Sequence, residues 1–333
     1  MRIGLVGLRG VNIWLYYPAL RKHPRVELVA GCDIDEEAAR RFGEEAGVPT
    51  FPSLSDMARS VELDGVIIGT PNQVHLANVE EAAGCGLNVL VTKPMTNTVA
   101  DSLKAIEACR RAGVVLVTGH EYRFRPVVRE MLRRASSGEI GQVSMAQAHM
   151  GHRGGISGLA APGTWRSNRA NVPGGSANLL GVHCFDVLNA IFGRPISVQA
   201  SLKRLISPVL EDTSATIVEY ASGGVGFASS SYASSPSDWV RVYGTEANLL
   251  ADTRMEKLFV ERKGGLEEVK VPSSPDSGFA VLDMFVSAVE DGVPPETGGV
   301  EGLLAVAVLE ASILSSGRGR RVEVEEVIGG PIP

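Results

Sequence analysis

Two side chains of the 333-residue chain, Lys93 and His183, are of types that together support acid–base chemistry on a hydroxyl group. Lys93 follows an apolar stretch and Thr92, and it precedes Pro94, which restricts the local turn. An ammonium group there can stabilise a developing alkoxide, and His183 can remove a proton because imidazole titrates near neutral pH. A surface lysine at a strand end and a packed helix histidine remain the structural alternatives.

A glycine-containing turn near the N-terminus has the composition of a phosphate-binding loop. The segment 4–10 (GLVGLRG) lies between an apolar stretch and a helix-like stretch, where a dinucleotide fold directs helix amides at a pyrophosphate. The spacing is irregular, because GxGxxG starting at Gly7 would need glycine where Arg9 and Asn12 stand. Gly10 can take over the close approach to phosphate, and a simple tight turn remains the alternative. The predicted contacts with the cofactor are Gly7, Leu8, Arg9, Gly10 and Asn12.

An acidic residue at the end of the second predicted strand bears on which dinucleotide fits. Asp33 lies 26 residues after Gly7. A carboxylate at that place accepts hydrogen bonds from the adenosine ribose and repels a 2′-phosphate, so it favours NAD over NADP. Arg9 complicates this preference because it can reach a phosphate of either cofactor. Asp33 or Asp35 can instead cap the next helix, which is the alternative interpretation of Asp33.

The elements that must position these residues alternate between strand and helix in the first 120 residues. Strands are predicted at residues 2–7, 26–32, 65–69, 88–91 and 114–118, and helices near 13–22, 36–46, 74–84 and 99–112. The strands are continuous apolar runs, which is typical of a parallel sheet covered on both faces. We therefore predict a doubly wound α/β domain of the Rossmann type over residues 1–120, with its ligand crevice at the carboxyl ends of the strands.

The pattern changes after Gly119, and a second domain of the α+β class is predicted over residues 121–333. Helices are expected near 126–135, 177–192, 280–289 and 301–315, and strands near 142–150, 197–205, 214–220, 225–231, 240–243, 257–261 and 267–271. Alternation and turn residues indicate a mixed or mostly antiparallel sheet with helices on one face. The Gly-rich stretch 151–175 is long for a connector, and loops of that length are often functional.

Composition narrows the class of protein. The net charge is −6 without a long basic run, so neither nucleic acid nor an anionic membrane surface is an expected partner. The sequence has no apolar run of about 18 residues, the length that predicts a membrane span. Four scattered cysteines without a CxxC pair favour a reduced, cytoplasmic protein. His149 and His152 lack a matching third ligand in the sequence around them, so no metal is expected.

Short motifs follow the predicted strands and helices in a characteristic order. They are TPNQVH at 70–75, TKP at 92–94, GHEYRFRP at 119–126, WR at 165–166, GG at 174–175, GVHCFD at 181–186, EDT at 211–213 and VYGT at 242–245. The ordered set covers nearly the whole chain. It resembles the glucose–fructose oxidoreductase / inositol dehydrogenase / MocA (Gfo/Idh/MocA) family of NAD(P)-dependent sugar and polyol oxidoreductases.

This resemblance implies a Rossmann domain followed by an open-faced sheet domain, often assembled into a homodimer or homotetramer through that sheet. It implies that the turn 71–75 lies beside the nicotinamide ribose of NAD. It also implies that Lys93 contacts the reacting hydroxyl or that ribose, and that His183 is the acid/base residue. The cofactor contacts implied in this part of the chain are Thr70, Pro71, Asn72, His75 and Lys93.

The implied substrate is a small carbohydrate-like molecule. Oxidation of a secondary alcohol needs a base for the hydroxyl proton and a positive group for the alkoxide, beside the nicotinamide. A tryptophan face suits the C–H surface of a sugar, and a guanidinium suits carboxylate or hydroxyl groups. The predicted substrate residues are His152, Trp165, Arg166, Tyr122 and Asn178.

Two positions depart from the pattern of the family. Thr92 stands where glutamate is common before the Lys–Pro pair, and Leu179 stands four residues before His183, where aspartate or sometimes asparagine is usual. Asn178 is adjacent, but one residue along an α-helix turns a side chain by about 100°. The leading hypothesis is reversible NAD(H)-dependent oxidation of a secondary alcohol of a sugar, polyol or sugar acid. NAD-assisted glycoside cleavage and, because of Leu179, a non-catalytic NAD-binding sensor remain alternatives.

Overall fold

The structure is a computed structural model that describes residues 1–154, 163–273, 276–330 and 332. The chain forms two compact units. The first comprises Met1–Thr96, Ala100–Glu121 and Pro275–Leu303, and the second comprises Asn97–Val99, Tyr122–Ser274 and Leu304–Pro333. Part of the Gly-rich stretch 151–175 lies outside the described residues.

The first unit is built on a six-stranded parallel sheet. Its strands are β1 (Arg2–Val6), β2 (Glu27–Cys32), β3 (Thr50–Phe51), β4 (Gly65–Ile68), β5 (Asn88–Thr92) and β6 (Leu116–Gly119). The strand order is β3-β2-β1-β4-β5-β6, so the order reverses between β1 and β4. Ligands of doubly wound sheets bind at such a reversal, beyond the carboxyl ends of the strands. The predicted Rossmann-type domain is confirmed, with β3 as an additional strand.

The helices explain why the sheet strands are apolar on both faces. In chain order they are α1 (Tyr17–Lys22), α2 (Glu36–Ala46), α3 (Leu54–Ser60), α4 (His75–Gly84), α5 (Val99–Ala112), α6 (Pro126–Ser136), α7 (Val182–Phe192), α8 (Ser277–Glu290), α9 (Gly299–Arg318) and α10 (Glu325–Ile328). π-Helical turns cover Asn12–Tyr16 and Ala177–Gly181, and 3₁₀ turns cover Asn72–Val74, Glu121–Phe124 and Trp165–Ser167. Consecutive strand residues such as Ile67 and Ile68 are both 0% exposed. Since neighbouring side chains point to opposite faces, both faces of this sheet are covered.

The segment that carries α8 belongs to the first unit, although the sequence division places it within residues 121–333. The Thr118 amide donates to the Thr297 carbonyl at 2.7 Å, and the Thr297 hydroxyl donates to the Thr118 carbonyl at 2.8 Å. Gly278 lies so close to Leu15 that a Cβ there would be 2.8 Å from its side chain. A helical hydrophobic pattern shows that a helix is covered, but it does not show which sheet covers it.

The second unit contains a nine-stranded mixed sheet. Its strands are β7 (Val143–Gly151), β8 (Pro195–Lys203), β9 (Thr213–Tyr220), β10 (Val225–Ser231), β11 (Ser237–Gly244), β12 (Asn248–Ala251), β13 (Leu258–Arg262), β14 (Gly265–Val269) and β15 (Val322–Glu323). Their order is β14-β13-β12-β11-β7-β10-β9-β8-β15, and among the described strands of this sheet only β10 and β7 pair in parallel. Ala146 and Ala148 of β7 are buried on the face that packs against α7. The predicted mostly antiparallel sheet is confirmed.

Helix α9, with 20 residues, is the longest helix among the described residues. Its length and composition are sufficient to cross a bilayer, and 56% of its most apolar window is buried. Core helices pass the same test of length and composition. Leu303, Val306 and Leu309 are each 0% exposed, which is the pattern of a core helix.

Candidate active site

The glycine turn after β1 lies at the reversal of the first sheet. Gly7 has a φ of +85°, a left-handed conformation that favours glycine, and a Cβ there would lie 3.0 Å from the Thr70 side chain. Gly10 is exposed like Arg9, and a Cβ on Gly10 would meet none of the described atoms within 4 Å. The backbone therefore leaves open space at the start of the first helix, where a phosphate group binds in dinucleotide folds.

Asn12 lies inside this turn and not on its surface. Its side-chain amide donates to the Val6 carbonyl at 3.0 Å and to the Gly7 carbonyl at 2.8 Å, and the residue is 0% exposed. Gly69 permits this packing, because a Cβ there would lie 2.5 Å from the Asn12 carboxamide. Its amide group holds the carbonyls of the turn, and its contact with the cofactor stays a prediction.

Asp33 is tied to the glycine turn and not to the helix that follows. Its carboxylate accepts a hydrogen bond from the Leu8 amide at 2.8 Å and another from the Asp35 amide at 2.9 Å. The cap of α2 is Asp35, whose carboxylate accepts from the Ala38 amide at 2.9 Å. Asp33 is half-buried beside the turn, so helix capping does not account for its position.

Arg9 and Ile34 complete the surroundings of Asp33. Arg9 forms an ion pair with Asp35. The Ala38 amide and the Arg9 guanidinium together hold the pKa of Asp35 below its usual value. The Ile34 side chain, between the two aspartates, is 93% exposed. Sequence reasoning did not identify Ile34, whose only signal is its position next to Asp33.

The turn after β4 contains four residues that were predicted to contact the cofactor. Thr70 and Pro71 are half-buried, Asn72 is 6% exposed and His75 is 0% exposed. The two ring nitrogens of His75 lie 2.9 Å from the Thr70 carbonyl oxygen and 2.9 Å from the Pro94 carbonyl oxygen. The His75 ring thus contacts two backbone turns inside the unit, and its contact with the cofactor stays a prediction.

Lys93 lies at the same edge of the first sheet. It follows β5 directly after Thr92, which is 5% exposed, and β5 pairs in parallel with β4. The Lys93–Pro94 peptide bond is cis, and Lys93 is half-buried. Parallel strands end at one edge, so the first unit brings together the glycine turn, the Thr70 turn and Lys93.

His183 is in the first turn of α7, in the second unit. A buried ion pair fixes this helix: the Arg123 Nε lies 3.0 Å from the Asp186 carboxylate. Arg123 is 7% exposed and Asp186 is 0% exposed. Asp186 is three residues after His183, on the neighbouring helical turn, so the ion pair stabilises the part of α7 that carries His183.

The Tyr122 ring packs against the His183 ring, with centroids 5.6 Å apart. Tyr122 is 3% exposed, and burial raises its pKa well above the ordinary value, so it stays protonated. The Arg125 guanidinium lies 5.2 Å from the centroid of the same ring. Its ring contact makes Tyr122 a support for His183, and its contact with the substrate stays a prediction.

The residues just before α7 form the π-helical turn Ala177–Gly181. α-Helical spacing does not hold there, because π-helical hydrogen bonds join residues five apart. Leu179 is 7% exposed, and Asn178 is 0% exposed and donates to the Asn97 side-chain oxygen at 3.1 Å. Its amide group joins the 97–99 segment to this turn, and its contact with the substrate stays a prediction.

Three predicted substrate residues lie around Tyr232, which the sequence did not indicate. The His152 ring is 4.8 Å from the Tyr232 ring, and the Arg166 guanidinium is 4.5 Å from the centroid of the Trp165 ring. Burial lowers the pKa of Arg166, and the charge interaction with Tyr232 opposes that shift. His152, Trp165 and Arg166 are each half-buried. A partly exposed aromatic face beside a cation suits a polyhydroxylated ligand.

Asp238 is, after Tyr232, a second residue of this unit that the sequence did not indicate, and its side chain can carry a charge. Burial raises its pKa, and the Arg125 guanidinium, 3.5 Å from its carboxylate, opposes that shift. His149 and His152 also lower the pKa of Asp238, and His149 stacks on Trp239 with centroids 5.5 Å apart. Within the part of the chain that the structure describes, no group of three His, Cys, Asp or Glu side chains is arranged to hold a metal ion.

Comparison with known families matches both parts of the chain. Residues 1–120 match the oxidoreductase family with an NAD-binding Rossmann fold, and residues 128–250 match the GFO/IDH/MocA C-terminal domain. The chain belongs to the Gfo/Idh/MocA family. It is therefore an NAD(P)-binding oxidoreductase, and the resemblance inferred from the order of the motifs is confirmed.

Similar Gfo/Idh/MocA proteins cover almost the full length of this chain. It is 28% identical to the D-apiose dehydrogenase of Paraburkholderia graminis, over 90% of this chain and 84% of that protein. It is 25% identical to the D-xylose 1-dehydrogenase (NADP(+)) 2 of Haloferax volcanii, over 98% of this chain and 100% of that protein. The structure of an aldose-aldose oxidoreductase from Caulobacter crescentus complexed with glycerol matches with a TM-score of 0.89 at 25% identity, over 97% of this chain and 99% of that chain.

This Gfo/Idh/MocA member thus carries its chemically useful groups in two sets. The first unit holds the open glycine turn, the fixed Asp33 carboxylate and Lys93. The second unit holds His183 and the group around Tyr232. The residue that departs most from the family pattern, Leu179, is an apolar side chain in the π-helical turn before His183.

Proposed function

We propose that this protein interconverts a secondary alcohol and a ketone on a sugar, polyol or sugar acid, with NAD as the preferred cofactor. The observation that carries the proposal is the position of Lys93, which shares one sheet edge with the glycine turn and the Thr70 turn. In dinucleotide folds the ligand crevice lies beyond this edge of the sheet, so a cation here lies where the reactive end of the ligand binds. The apiose, xylose and aldose oxidoreductases to which the chain is similar support the carbohydrate class of substrate.

The residues present in the first unit fit NAD, which when bound supplies the hydride acceptor of the oxidation. The open space at Gly10 leaves the first helix accessible to a pyrophosphate. Asp33 accepts hydrogen bonds from the ribose hydroxyls and repels a 2′-phosphate. Ile34 offers an exposed apolar side chain to the adenine. Arg9 forms an ion pair with Asp35, so its guanidinium is less available to bind a 2′-phosphate.

Lys93 and His183 carry out the acid–base part of the proposed reaction. Lys93 stabilises the alkoxide that forms when the substrate hydroxyl loses its proton. His183 removes that proton in the oxidation and returns it in the reduction. Tyr122 and the Arg123–Asp186 ion pair orient His183, so they are positioning residues of the reaction.

The substrate groups are proposed to meet the second unit at the residues around Tyr232. The Trp165 face packs against sugar C–H groups, while Arg166 and His152 donate to hydroxyl or carboxylate oxygens. The His152 Nδ1 accepts from the Gly154 amide at 2.8 Å, so in the neutral ring the proton is on Nε2.

A substrate screen with purified protein tests this function. NAD and NADP are each supplied with neutral sugars, polyols and sugar acids, and the formation of NADH or NADPH is followed by absorbance. Stoichiometric NADH formation with one of these compounds supports the proposal. Cleavage of glycosides without net NADH indicates NAD-assisted hydrolysis, and NADH binding without turnover of any compound indicates a sensor.

A homodimer or homotetramer is also proposed, assembled through the open face of the nine-stranded sheet. On β9, Ile217 is 47% exposed while its neighbours Thr216 and Val218 are buried, and Val225 on β10 is 38% exposed. These apolar side chains lie on the face opposite α7 and suit a second copy. Sedimentation of the protein and of Ile217→Glu tests this, with a loss of assembly expected in the variant and an unchanged state contradicting the proposed interface.

A cytoplasmic location is proposed on the state of the thiols. All four cysteines are free, and Cys32, Cys109 and Cys184 are buried. Free buried thiols are typical of a reducing compartment. Cell fractionation with a tagged full-length chain tests the location, and recovery of the protein outside the cytoplasmic fraction would contradict it.

A further inference from the structure

His75 is a buried histidine that stands between two backbone turns of the first unit. It is the first residue of α4, directly after the 3₁₀ turn Asn72–Val74, and it is 0% exposed. One ring nitrogen, Nε2, lies 2.9 Å from the carbonyl oxygen of Thr70, and the other, Nδ1, lies 2.9 Å from that of Pro94. The ring therefore spans from the turn after β4 to the turn that carries Lys93.

Both turns contain a proline, and this limits how the backbone can hold them. Pro71 and Pro94 have no N–H group, so neither can donate a backbone hydrogen bond. The carbonyl groups of Thr70 and Pro94 remain as acceptors, and His75 supplies a donor for them. Lys93 is joined directly to Pro94, so any movement of the Pro94 carbonyl also moves the Lys93 backbone.

The protonation of His75 decides how many of these contacts are true hydrogen bonds. Burial lowers its pKa, and the Lys93 charge also lowers it, while the carbonyl groups of Thr70, Pro94 and Met95 oppose that shift. The helix N-terminus further disfavours a cation at this place. A neutral imidazole has a single N–H, so it donates to only one of the two carbonyls at a time.

We propose that His75 is a positioning residue for Lys93, whose ring holds the Pro94 carbonyl against the Thr70 turn and so fixes where the Lys93 ammonium lies. The proposal rests on the role given to Lys93 in the proposed function. It adds that the geometry of Lys93 depends on the Nδ1 contact with Pro94 and not only on the end of β5. A displacement of about 1 Å in a group that contacts the reacting atoms lowers turnover by up to about a hundredfold.

Three substitutions separate the two ring contacts. The amide nitrogen of His75→Asn comes closest to the place of Nδ1, and that of His75→Gln comes closest to the place of Nε2. Both amides can donate, whereas His75→Leu keeps only the bulk. We expect kcat to fall about tenfold to a hundredfold in His75→Leu and His75→Gln, with KM changed by less than about threefold. His75→Asn should recover most of kcat, because it keeps the donor that faces Pro94.

His23→Gln is the matched control for the loss of a buried histidine in the same unit. His23 is 4% exposed, its Nε2 lies 3.1 Å from Asp283, and its Nδ1 accepts from the Arg25 amide at 3.2 Å. It precedes β2 and so lies at the opposite end of the sheet strands from Lys93. We expect His23→Gln to lose about as much thermal stability as the His75 variants. We expect its kcat to stay unchanged. An equal loss of kcat in His23→Gln would show that general destabilisation, and not positioning, explains the His75 variants.

A double-mutant cycle tests whether His75 acts through Lys93. In a Lys93→Met background, His75→Leu should lower the residual rate by less than about twofold, because the group that it positions is already absent. A full additional loss in that background would overturn the proposal. Equal kcat values for His75→Asn and His75→Gln would overturn it as well.

A readout without turnover separates this proposal from the proposed function. Lysine amines are labelled by reductive ¹³C-methylation, and the Lys93 resonance is assigned by its absence in Lys93→Arg. The Lys93 resonance should shift in His75→Leu and stay unchanged in His23→Gln, whether or not any sugar is a substrate. An unchanged Lys93 resonance in His75→Leu would refute the positioning role. If the resonance shifts but the protein oxidises no sugar, the positioning role stands and the proposed sugar oxidation is contradicted.

Discussion

Replacement of Asp33 by asparagine tests the cofactor preference while it keeps the shape of the side chain. The Asp33 carboxylate accepts from the Leu8 amide at 2.8 Å and from the Asp35 amide at 2.9 Å. Asparagine retains one of these acceptor oxygens and removes the negative charge. Alanine would remove both acceptors, so its effects on the turn and on the cofactor would be mixed.

The magnitude follows from the lost charge and the lost acceptor. Two unit charges about 5 Å apart repel by about 1.7 kcal/mol at an effective dielectric constant of about 40. A 2′-phosphate carries up to about two charges, so its repulsion reaches about 3 kcal/mol. At about 1.4 kcal/mol per tenfold, the ratio of the Kd for NADPH to that for NADH should fall about 10- to 100-fold in Asp33→Asn. The lost acceptor should lower the free energy of unfolding by about 1 kcal/mol.

Titration calorimetry with NADH and NADPH measures the ratio, and urea unfolding measures the stability. Asp291→Asn is the control, because it removes the same charge from a residue that pairs with Arg25 before β2, at the other end of that strand. Its ratio should match the wild type. An Asp33→Asn protein with the wild-type ratio and a stability lower by about 1 kcal/mol would refute the ribose role and leave Asp33 as a tie of the turn.

Three further predictions concern the proposed catalytic groups and their support. Lys93→Ala and His183→Ala should each lower kcat about a hundredfold while the Kd for NADH changes by only a few fold, and a loss of NADH binding in calorimetry would contradict the roles given to them. Leu179→Asp should change kcat by about tenfold and shift the acid limb of the kcat pH profile to higher pH, because a nearby carboxylate favours a protonated imidazole; an unchanged profile would show that Leu179 does not affect His183. Asp186→Ala should lower the free energy of unfolding by about 3–5 kcal/mol in urea unfolding, because it leaves the buried Arg123 charge without its partner, and the Arg123→Met/Asp186→Leu double variant should recover most of that loss.

The repeating strand and helix pattern was sufficient to predict the first domain, because parallel strands that are buried on both faces give continuous apolar runs. β3 was not predicted, since Thr50–Phe51 is two residues long and carries no hydrophobic periodicity. The segment with α8 was assigned by its place in the chain. Its actual position depends on contacts such as the Thr118–Thr297 pair, which the sequence pattern does not encode.

The direction in which a polar side chain points is the feature of the site that the sequence predicts least. Asn12 and Asn178 belong to segments that resemble ligand-binding motifs, but both are 0% exposed and hydrogen-bonded within their own unit. A motif gives the residue type and the order, while the direction of a side chain follows from tertiary packing. Tyr232 and Asp238 were missed because no motif marks them. Tyr232 follows β10 and Asp238 lies in β11, and only the register of the sheet brings them near His152.

The inward polar residues suggest a division of labour within the motifs of this protein. The Asn12 amide holds the glycine turn, His75 spans the turns after β4 and β5, and Asp186 holds the helix of His183 through Arg123. Each of these side chains binds protein groups of its own unit, and a buried polar group that loses its hydrogen bonds costs about 1–3 kcal/mol, or more if it is charged. Under the proposed roles of Lys93 and His183, these side chains would hold the geometry of both groups whichever alcohol is oxidised. The apolar side chain of Leu179 can make no such hydrogen bond or ion pair. A substitution of Leu179 can therefore alter the chemistry at His183 without removing a polar contact that holds the fold.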